Sequence, residues 1–438
     1  MSGNGGRLDG RYWKFWTAAT GSALGSGMVT VAAPLLVASR SADPLVVSGA
    51  SAAAALPWLL FTLPAGAVVD RLDRRHVMIV MDLLRVLLIG ALGALIMVDR
   101  AGLPLVYTVL FLMGTAETVF RSASQALVPD LVRRDSLEHA NSWLIGSTML
   151  TAGIIAAPLG ALLFHLHGSV PFLANAATYA LSAALLLAIA GSYRGTPATT
   201  EARAKGAFLA EIGEGVRWLA GQRLVRTLAL LIGLLNITLT AALSILVLVV
   251  RERLHAPDWW YGVLVTCMAA GGLLGSAIGP WLVRKVTATW TLRVGLIIEA
   301  GLHLVLATSH STITVAAAFA VFGVHGSLWT IVSMSIRQRL TPPAMQGRVG
   351  SVYLFTAAGG NSLGAVLGGA LAGWFGLPAP YWVGFVAAVL VVAVTWRVFS
   401  PSVIATAYGS GPDAVVPAQA TGTEPVPGGA AVGQGSNL

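Results

Sequence analysis

Charge is what this sequence most lacks. Of its 438 residues only 10% are Asp, Glu, Lys or Arg, while 56% are hydrophobic. Soluble domains carry roughly 25% charged residues, and a water-exposed globule of this length could not solvate its surface with so few. Cysteine is almost missing too. Cys267 stands alone, which excludes an intramolecular disulfide, and no Cys/His spacing of a structural zinc site occurs, so no metal is expected. Also missing is a G-x-x-x-x-G-K-[ST] phosphate loop, which excludes an ATPase within the chain. Glycine runs such as Gly271-Gly272 and Gly368-Gly369 fall inside apolar segments and read as helix contacts. With no catalytic motif, neither an enzyme nor a cofactor is expected.

What is present is a succession of apolar runs, each about 20 residues long and sufficient to cross a bilayer. Twelve are expected, near 15–38, 45–69, 77–98, 103–127, 139–164, 170–191, 224–250, 260–282, 289–308, 312–334, 349–372 and 380–399. The first is longer than the apolar region of a signal peptide and reads as a true span. Backbone groups in hydrocarbon must be satisfied internally, so every span is expected to be a helix. The fold class is therefore an all-α polytopic membrane protein.

The connections alternate in charge. One set holds 20 Lys/Arg, including Arg74, Arg75, Arg133, Arg284, Lys285, Arg337 and Arg348; the other holds only Arg40, Arg100, Arg251 and Arg253. The positive-inside rule places the first set, and with it both termini, in the cytoplasm of a cell membrane. The formal net charge of +9 falls wholly on that side. It is thus a topology signal and not the footprint of a nucleic-acid partner; the lipid bilayer is the expected surrounding.

Residues 192–223 form the longest internal connection and divide the chain. A cytoplasmic N-terminus (1–14) precedes a first six-helix half (15–191), and a second half (224–399) precedes a Gly/Pro-rich tail (400–438) expected to be disordered. Within the linker, Phe208, Ile212, Val216 and Leu219 recur at helical spacing and predict an amphipathic helix on the cytoplasmic face. A weak repeat supports the division into pseudo-symmetric halves. Gly66 and Arg71 recur as Gly279 and Arg284, and Pro129 recurs as Pro342, each 213 residues on.

The sharpest motif is Gly66-Ala-Val-Val-Asp70-Arg71-Leu-Asp73-Arg74-Arg75-His76. It resembles the G-x-x-x-D-R-x-x-R-[KR] loop between the second and third helices of the major facilitator superfamily. Leu56-Pro-Trp-Leu-Leu-Phe-Thr-Leu-Pro64, Gly114-Thr-Ala-Glu117, Gln125-Ala-Leu-Val-Pro129 and Ser351-Val-Tyr353 resemble its enterobactin-exporter-like and macrolide-efflux-like subgroup. The resemblance covers about residues 15–399. It implies a latch built from Gly66, Asp70, Arg71, Arg74 and Arg75, with the glycine packed closely on a neighbour and the charges pairing across the cytoplasmic face. Two departures stand out: Asp73 replaces a usual glycine, and Val283 replaces the aspartate in the second half. Pro158 and Gly160 resemble an antiporter element of the superfamily, although ordinary small-residue packing explains them equally well.

Six charges fall inside spans: Asp82, Arg85, Glu117, Arg121, Arg293 and Glu299. Charges there are costly and normally face protein or water. Asp82 with Arg85, and Glu117 with Arg121, are spaced to share helical faces as ion pairs. The first pair, near a span end, is expected to brace the latch. Glu117 lies mid-span, in a helix the resemblance places at the central cavity. It is a proton-coupling candidate, with a structural ion pair as the alternative. Glu299 and His303 are also i,i+4, in a span expected to be peripheral, and a structural pair or a proton site remains open there. His325 is a further proton candidate because imidazole titrates near neutrality.

Met28, Thr30, Asn236, Thr240 and Trp329 are the candidate lining of a substrate cavity, since Met and aromatic side chains adapt to bulky amphipathic ligands. The expected function is secondary active transport by alternating access. The cargo would be a small amphipathic molecule, a drug or a secondary metabolite such as an antibiotic or siderophore, exported by a monomer against protons. The proton gradient would be its only energy source. A nutrient symporter or facilitator is one alternative, and a lipid-handling or non-transporting membrane scaffold is another.

Overall fold

The computed structural model describes residues 8–69, 72–133, 136–194 and 207–407. Among them the spans are Gly10–Ala38 (span 1), Pro44–Val69 (2), Arg74–Met97 (3), Leu103–Leu131 (4), His139–Leu166 (5) and Val170–Leu187 (6). A linker helix, Ala207–Gly221, precedes Arg223–Arg253 (7), Trp259–Gly279 (8), Lys285–Thr308 (9), Thr312–Leu340 (10), Gln346–Phe375 (11) and Ala379–Thr395 (12). Eleven of the helices are long and apolar enough to cross a bilayer, and span 12 is a shorter apolar helix. No strand occurs among the described residues. Spans 8 and 9 run on from each other through a bend at Thr287, whose φ of 66° lies in the left-handed region.

Several helices outrun their apolar stretches, because hydrogen bonding continues into the polar ends after the hydrophobic signal has stopped. Span 1 begins at Gly10 and span 11 at Gln346. Span 5 contains a π-helical turn, Leu150–Ile155, just before Pro158. Proline has no N–H to give to the preceding turn and its ring crowds that turn's carbonyl. Widening the helix there is a common way to relieve both.

Close backbone approach governs the packing. In span 11, Gly360, Gly364 and Gly368 lie one turn apart and face the carbonyls of Gly233, Ile237 and Ala241 in span 7. A Cβ at any of the three would collide with those carbonyls, so the stripe sets the distance between the helices. Spans 8 and 10 meet the same way, Gly275 against the Val324 carbonyl and Gly323 against the Met268 carbonyl. Opposite faces carry exposed Leu87, Leu166, Ile313 and Val394, a lipid-facing surface.

The buried core is divided unevenly. At the end of the bundle remote from the termini, one core draws on residues of all twelve spans, among them Val29, Leu35, Val106, Ala157, Ile245, Val249 and Phe319. At the end carrying the termini there are two separate cores, one from residues before Arg194 and one from residues after Leu219. The first and last six spans therefore join at the remote end and part towards the termini. Gly369 of span 11 lies against Ser48 and the Pro44 carbonyl, Gly262 of span 8 against the Ala157 carbonyl and Ala161. Arg251 forks onto Asp258 with two 2.7 Å hydrogen bonds and donates to the Ala38 carbonyl at the end of span 1.

Two expectations about the flanking segments need correction. The tail is not irregular from residue 400: Pro401–Ala407 is helical, and Ile404 and Ala407 are buried in the second core. The reason is an i,i+3 apolar pair within reach of Leu224 and Leu340. In the linker helix Leu219 is buried but Val216 is exposed. Gly215 sits on the Arg348 carbonyl and Glu214 pairs with Arg348 at 2.8 Å, and this docking turns Val216 outward. The rest of the expected tail, 408–438, and linker residues 195–206 lie outside the described residues, as do the side chains of Phe208 and Ile212.

The Gly369 contact offers a test of the closed end. Gly369→Leu is expected to cost on the order of 1–3 kcal/mol through overpacking. It should also raise maleimide labelling of Ser48→Cys above that of Ser48→Cys alone; unchanged labelling would place the closure elsewhere.

Candidate functional site

Beyond its first turn span 3 is otherwise apolar, yet it carries Asp82 and Arg85 three residues apart, which puts both on the face turned to spans 1, 4 and 6. Arg85 Nη2 donates to Asp82 Oδ1 at 2.8 Å, and Nη1 donates to Glu117 Oε2 of span 4 at 2.7 Å. The guanidinium is sandwiched by the Phe120 ring at 4.1 Å and the Tyr179 ring at 4.5 Å, contacts that favour a desolvated cation. Ser182 of span 6 donates to Asp82 Oδ2 at 2.6 Å, and Ser26 of span 1 donates to Glu117 Oε2 at 3.3 Å. Ser26 is in turn 2.9 Å from the Tyr179 hydroxyl. Asp82 and Arg85 side chains are 0% exposed, but that of Glu117 is 28% exposed. One cation thus faces two carboxylates, and only one of the carboxylates is open.

This arrangement corrects two expectations. Glu117 pairs with Arg85 and not with Arg121, whose guanidinium lies over the Trp58 ring of span 2 at 5.5 Å. Helical spacing permits the i,i+4 pair, but Arg85 reaches Glu117 from a buried, aromatic-walled pocket where a charge-assisted bond is stronger. Asp82 and Arg85 bond inward to that pocket and do not brace the latch.

The two described latch arginines, Arg74 and Arg75, find their partners within the first half of the chain. Arg74 donates to Asp130 at 2.5 Å and to the Ala126 carbonyl at 3.0 Å. Arg75 caps the end of span 6, donating to the carbonyls of Leu186, Leu187 and Gly191 at 2.8, 2.9 and 3.2 Å, a favourable place for a cation. Gly66 was expected to pack closely on a neighbour, yet a Cβ there would meet nothing within 4 Å. The two sets of spans are parted at this end, so the glycine faces open space. Asp70 and Arg71 lie outside the described residues.

Asp73, the departure from the superfamily pattern, is the N-cap of span 3. It accepts from the His76 N–H at 3.1 Å, the Ser192 hydroxyl at 2.8 Å and the Tyr193 N–H at 2.8 Å. Burial by itself would raise its pKa, but these hydrogen bonds outweigh burial and bring it down to about 2. It fastens the start of span 3 to the segment after span 6.

Glu299, His303 and His325 come together in the second six spans. His303 Nδ1 is 3.9 Å from Glu299 Oε1, and His325 Nε2 of span 10 is 4.0 Å from Glu299 Oε2. The proposed cavity residues are more scattered. Met28 and Trp329 are buried in helix packing, not lining an open space: Gly160 sits on the Met28 carbonyl, and Trp329 stands edge-on to His325 and Phe399. Tight small-residue crossings leave no room for a ligand there. Thr30 is exposed and bonds back to the Ser26 carbonyl. Asn236 donates to the Ile232 carbonyl, and Thr240 donates to Asn361 of span 11 at 2.9 Å. A shallow apolar recess between the two sets of spans is lined by Trp58, Leu59, Thr62, Leu354, Phe355 and Ala358. Asn361, Ser26, Tyr179 and Ser182 carried no sequence signal, since such residues are common in any span.

A bundle of twelve helices with a charged pocket in one half and a cleft between halves has counterparts. The family model described as "Transmembrane secretion effector" matches residues 9–417. The chain belongs to that family of major facilitator superfamily transporters. It is similar to the multidrug efflux pump Tap of Mycolicibacterium fortuitum, 27% identical over 386 residues, covering 83% of this chain and 90% of that protein. An uncharacterized MFS-type transporter of Mycobacterium tuberculosis is 28% identical over 362 residues, with 78% and 80% covered. Among solved structures, the nucleoside transporter NupG superposes with a TM-score of 0.65 at 13% identity, covering 89% and 99%. A bacterial homologue of the iron transporter ferroportin in an inward-facing state reaches 0.67 at 18% identity, covering 89% and 98%. The protein is thus a multi-pass membrane transporter and not an enzyme.

Two measurements follow for the transporter's charged residues. Arg85→Met strands two carboxylates in a buried pocket and is expected to cost about 3–5 kcal/mol. Thermal unfolding in detergent checks this, and wild-type stability would show that Arg85 is not the clamp. For Asp73 the folded pKa lies below the unfolded value. Its contribution is therefore complete above about pH 4 and is lost as pH falls towards about 2, amounting to about 2 kcal/mol. Asp73→Asn should be less stable than wild type at pH 7, with the gap closing through that acid window.

Proposed function

We propose that this transporter exports an amphipathic drug or secondary metabolite from the cytoplasm in exchange for protons, by alternating access in a cell membrane with both termini inside. The observation that carries the reading is the Asp82–Arg85–Glu117 pocket. Two ionised carboxylates against one guanidinium leave a net negative charge in a low-dielectric site, which is costly. A proton on Glu117 removes it, and Glu117 is the one member with an open face, 28% exposed against 0% for its partners. Glu117 is therefore the carboxylate through which the cleft has access to the site. Asp82 stays bound by Ser182, and Arg85 stays fixed between Phe120 and Tyr179.

With the termini cytoplasmic, as the basic connections favour, the cleft opens inward and the Arg251–Asp258 fork and Gly369 contact lie at the closed outer end. An amphipathic solute entering from the cytoplasm or inner leaflet would meet the apolar recess around Trp58 and Phe355. The name of the mycolicibacterial relative, a multidrug efflux pump, supports a drug-like cargo. Proton return supplies the drive, each charge moved being worth about 2.3 kcal/mol per 100 mV.

Energised membrane vesicles loaded with a fluorescent amphipathic dye test the proposal. Wild type should show efflux that collapses when the pH gradient is dissipated, and Glu117→Gln, with the same folded yield, should lose that gradient-dependent component by an order of magnitude or more. Efflux indifferent to the gradient would overturn it.

A further inference from the structure

The first six spans hold their charges around a permanent cation. The second six spans hold a different group at a corresponding place. Displaced by the 213-residue repeat, Asp82 and Arg85 of span 3 fall on Gly295 and Ile298 of span 9. Glu299 is the next residue, so its carboxyl occupies the same turn. Here there is no arginine. Glu299 is 2% exposed, His303 0% and His325 4%, and the carboxyl faces one imidazole at 3.9 Å and another at 4.0 Å.

The hydrogen bonding is incomplete in an informative way. His303 Nδ1 lies 2.9 Å from the Glu299 backbone carbonyl. A carbonyl only accepts, so Nδ1 carries the hydrogen, and in the neutral ring Nε2 is a bare lone pair. Among the described residues neither that Nε2 nor Glu299 Oε1 has a hydrogen-bond partner, although both are fully buried. A carboxylate kept for structure alone would be satisfied, as Asp82 is. Glycines hold the rings in place: a Cβ at Gly384 of span 12 would strike the His303 ring, and one at Gly295 would strike the His325 ring.

Among the described residues no fixed charge neutralises this group. Arg293 of span 9 lies nearer the termini and donates to the Trp396 carbonyl, flanked by the Trp290 and Trp396 rings. Arg253, at the end of span 7, donates to the carbonyls of Leu306 and Ala307. Span 12 offers only Tyr381, bonded to the Ala242 carbonyl. Span 8 offers only Tyr261 and Cys267, and span 10 has no titratable residue but His325 before Arg337. An ionised Glu299 would be a buried anion with no cation beside it unless an imidazole were protonated.

We propose that Glu299, His303 and His325 form a second proton-binding site of the transporter, in which Glu299 is a neutral carboxylic acid in the conformation described and its proton passes to and from His325 Nε2, while the Nδ1–H of His303 stays committed to the Glu299 backbone carbonyl. In that transfer the O–H bond of Glu299 breaks as an N–H bond forms on His325, and the reverse step restores it; the proton enters the site from hydronium and leaves to water, with no other reactant. Occupancy of the site does not depend on the cargo; its part in transport rests on the proton-exchange reading above.

Infrared difference spectroscopy of the purified full-length protein in lipid decides occupancy without transport. At neutral pH a protonated-carboxyl C=O band is expected in wild type, lost in Glu299→Gln and shifted, not lost, in His325→Gln and His303→Gln. The histidine variants keep the test open if Glu299→Gln does not fold. Absence of that band in wild type, or its persistence unchanged in all folded variants, overturns the proposal. In dye-loaded vesicles, Glu299→Gln should move the pH midpoint of efflux by about one unit, as expected for coupled groups. A wild-type pH profile retained by this variant would overturn the role in transport. Wild-type efflux with no pH dependence would instead overturn the proton-exchange reading and leave the infrared result to stand.

Discussion

The constraint on which the structure depends is the price of a charge away from water. A bundle with 10% charged residues must either export them to its ends or neutralise them inside. Most of this chain's charges take the first course. Those that remain within the spans are handled in three ways: Arg85 is clamped by two carboxylates and two rings, Arg293 lies between tryptophans near a span end, and Glu299 is left beside imidazoles. The three solutions differ in whether the charge is met by an opposite charge, by aromatic rings or by neutral-capable imidazoles.

Helix packing supplies the second half of the design. Glycine stripes in spans 8, 10 and 11 bring backbones close enough that dispersion and shape replace the hydrophobic drive, which is weak between helices already in lipid. The same device holds the two sets of spans together at the remote end, through Gly369 and Gly262. These contacts are many and shallow, and interfaces of that kind can come apart without unfolding either half. The split of the core towards the termini shows how such a bundle accommodates a cleft.

Two pseudo-equivalent turns, in spans 3 and 9, have diverged in chemistry while keeping their place. In one a guanidinium stands between two carboxylates; in the other, among the described residues, the carboxyl has imidazoles beside it. Towards the termini each set of six spans packs around its own core, which lets the two turns differ.

The sequence alone determined the helix count, the charge asymmetry of the connections, and the family resemblance, because hydropathy and short motifs act over one or two turns. It also placed Asp82 beside Arg85, a relation within a single helix. It could not assign Glu117 to Arg85, since i,i+4 spacing offered Arg121 and the true partner lies 32 residues away in another span. Nor could it unite His325 with Glu299, join Thr240 to Asn361, or show that Met28 and Trp329 are sealed by helix crossings. The role of Asp73 was hidden likewise, as its partners come from the segment after span 6. Spacing along one helix fixes only which face a side chain shares. Which groups meet across faces depends on how closely the helices approach, and only the tertiary structure decides that.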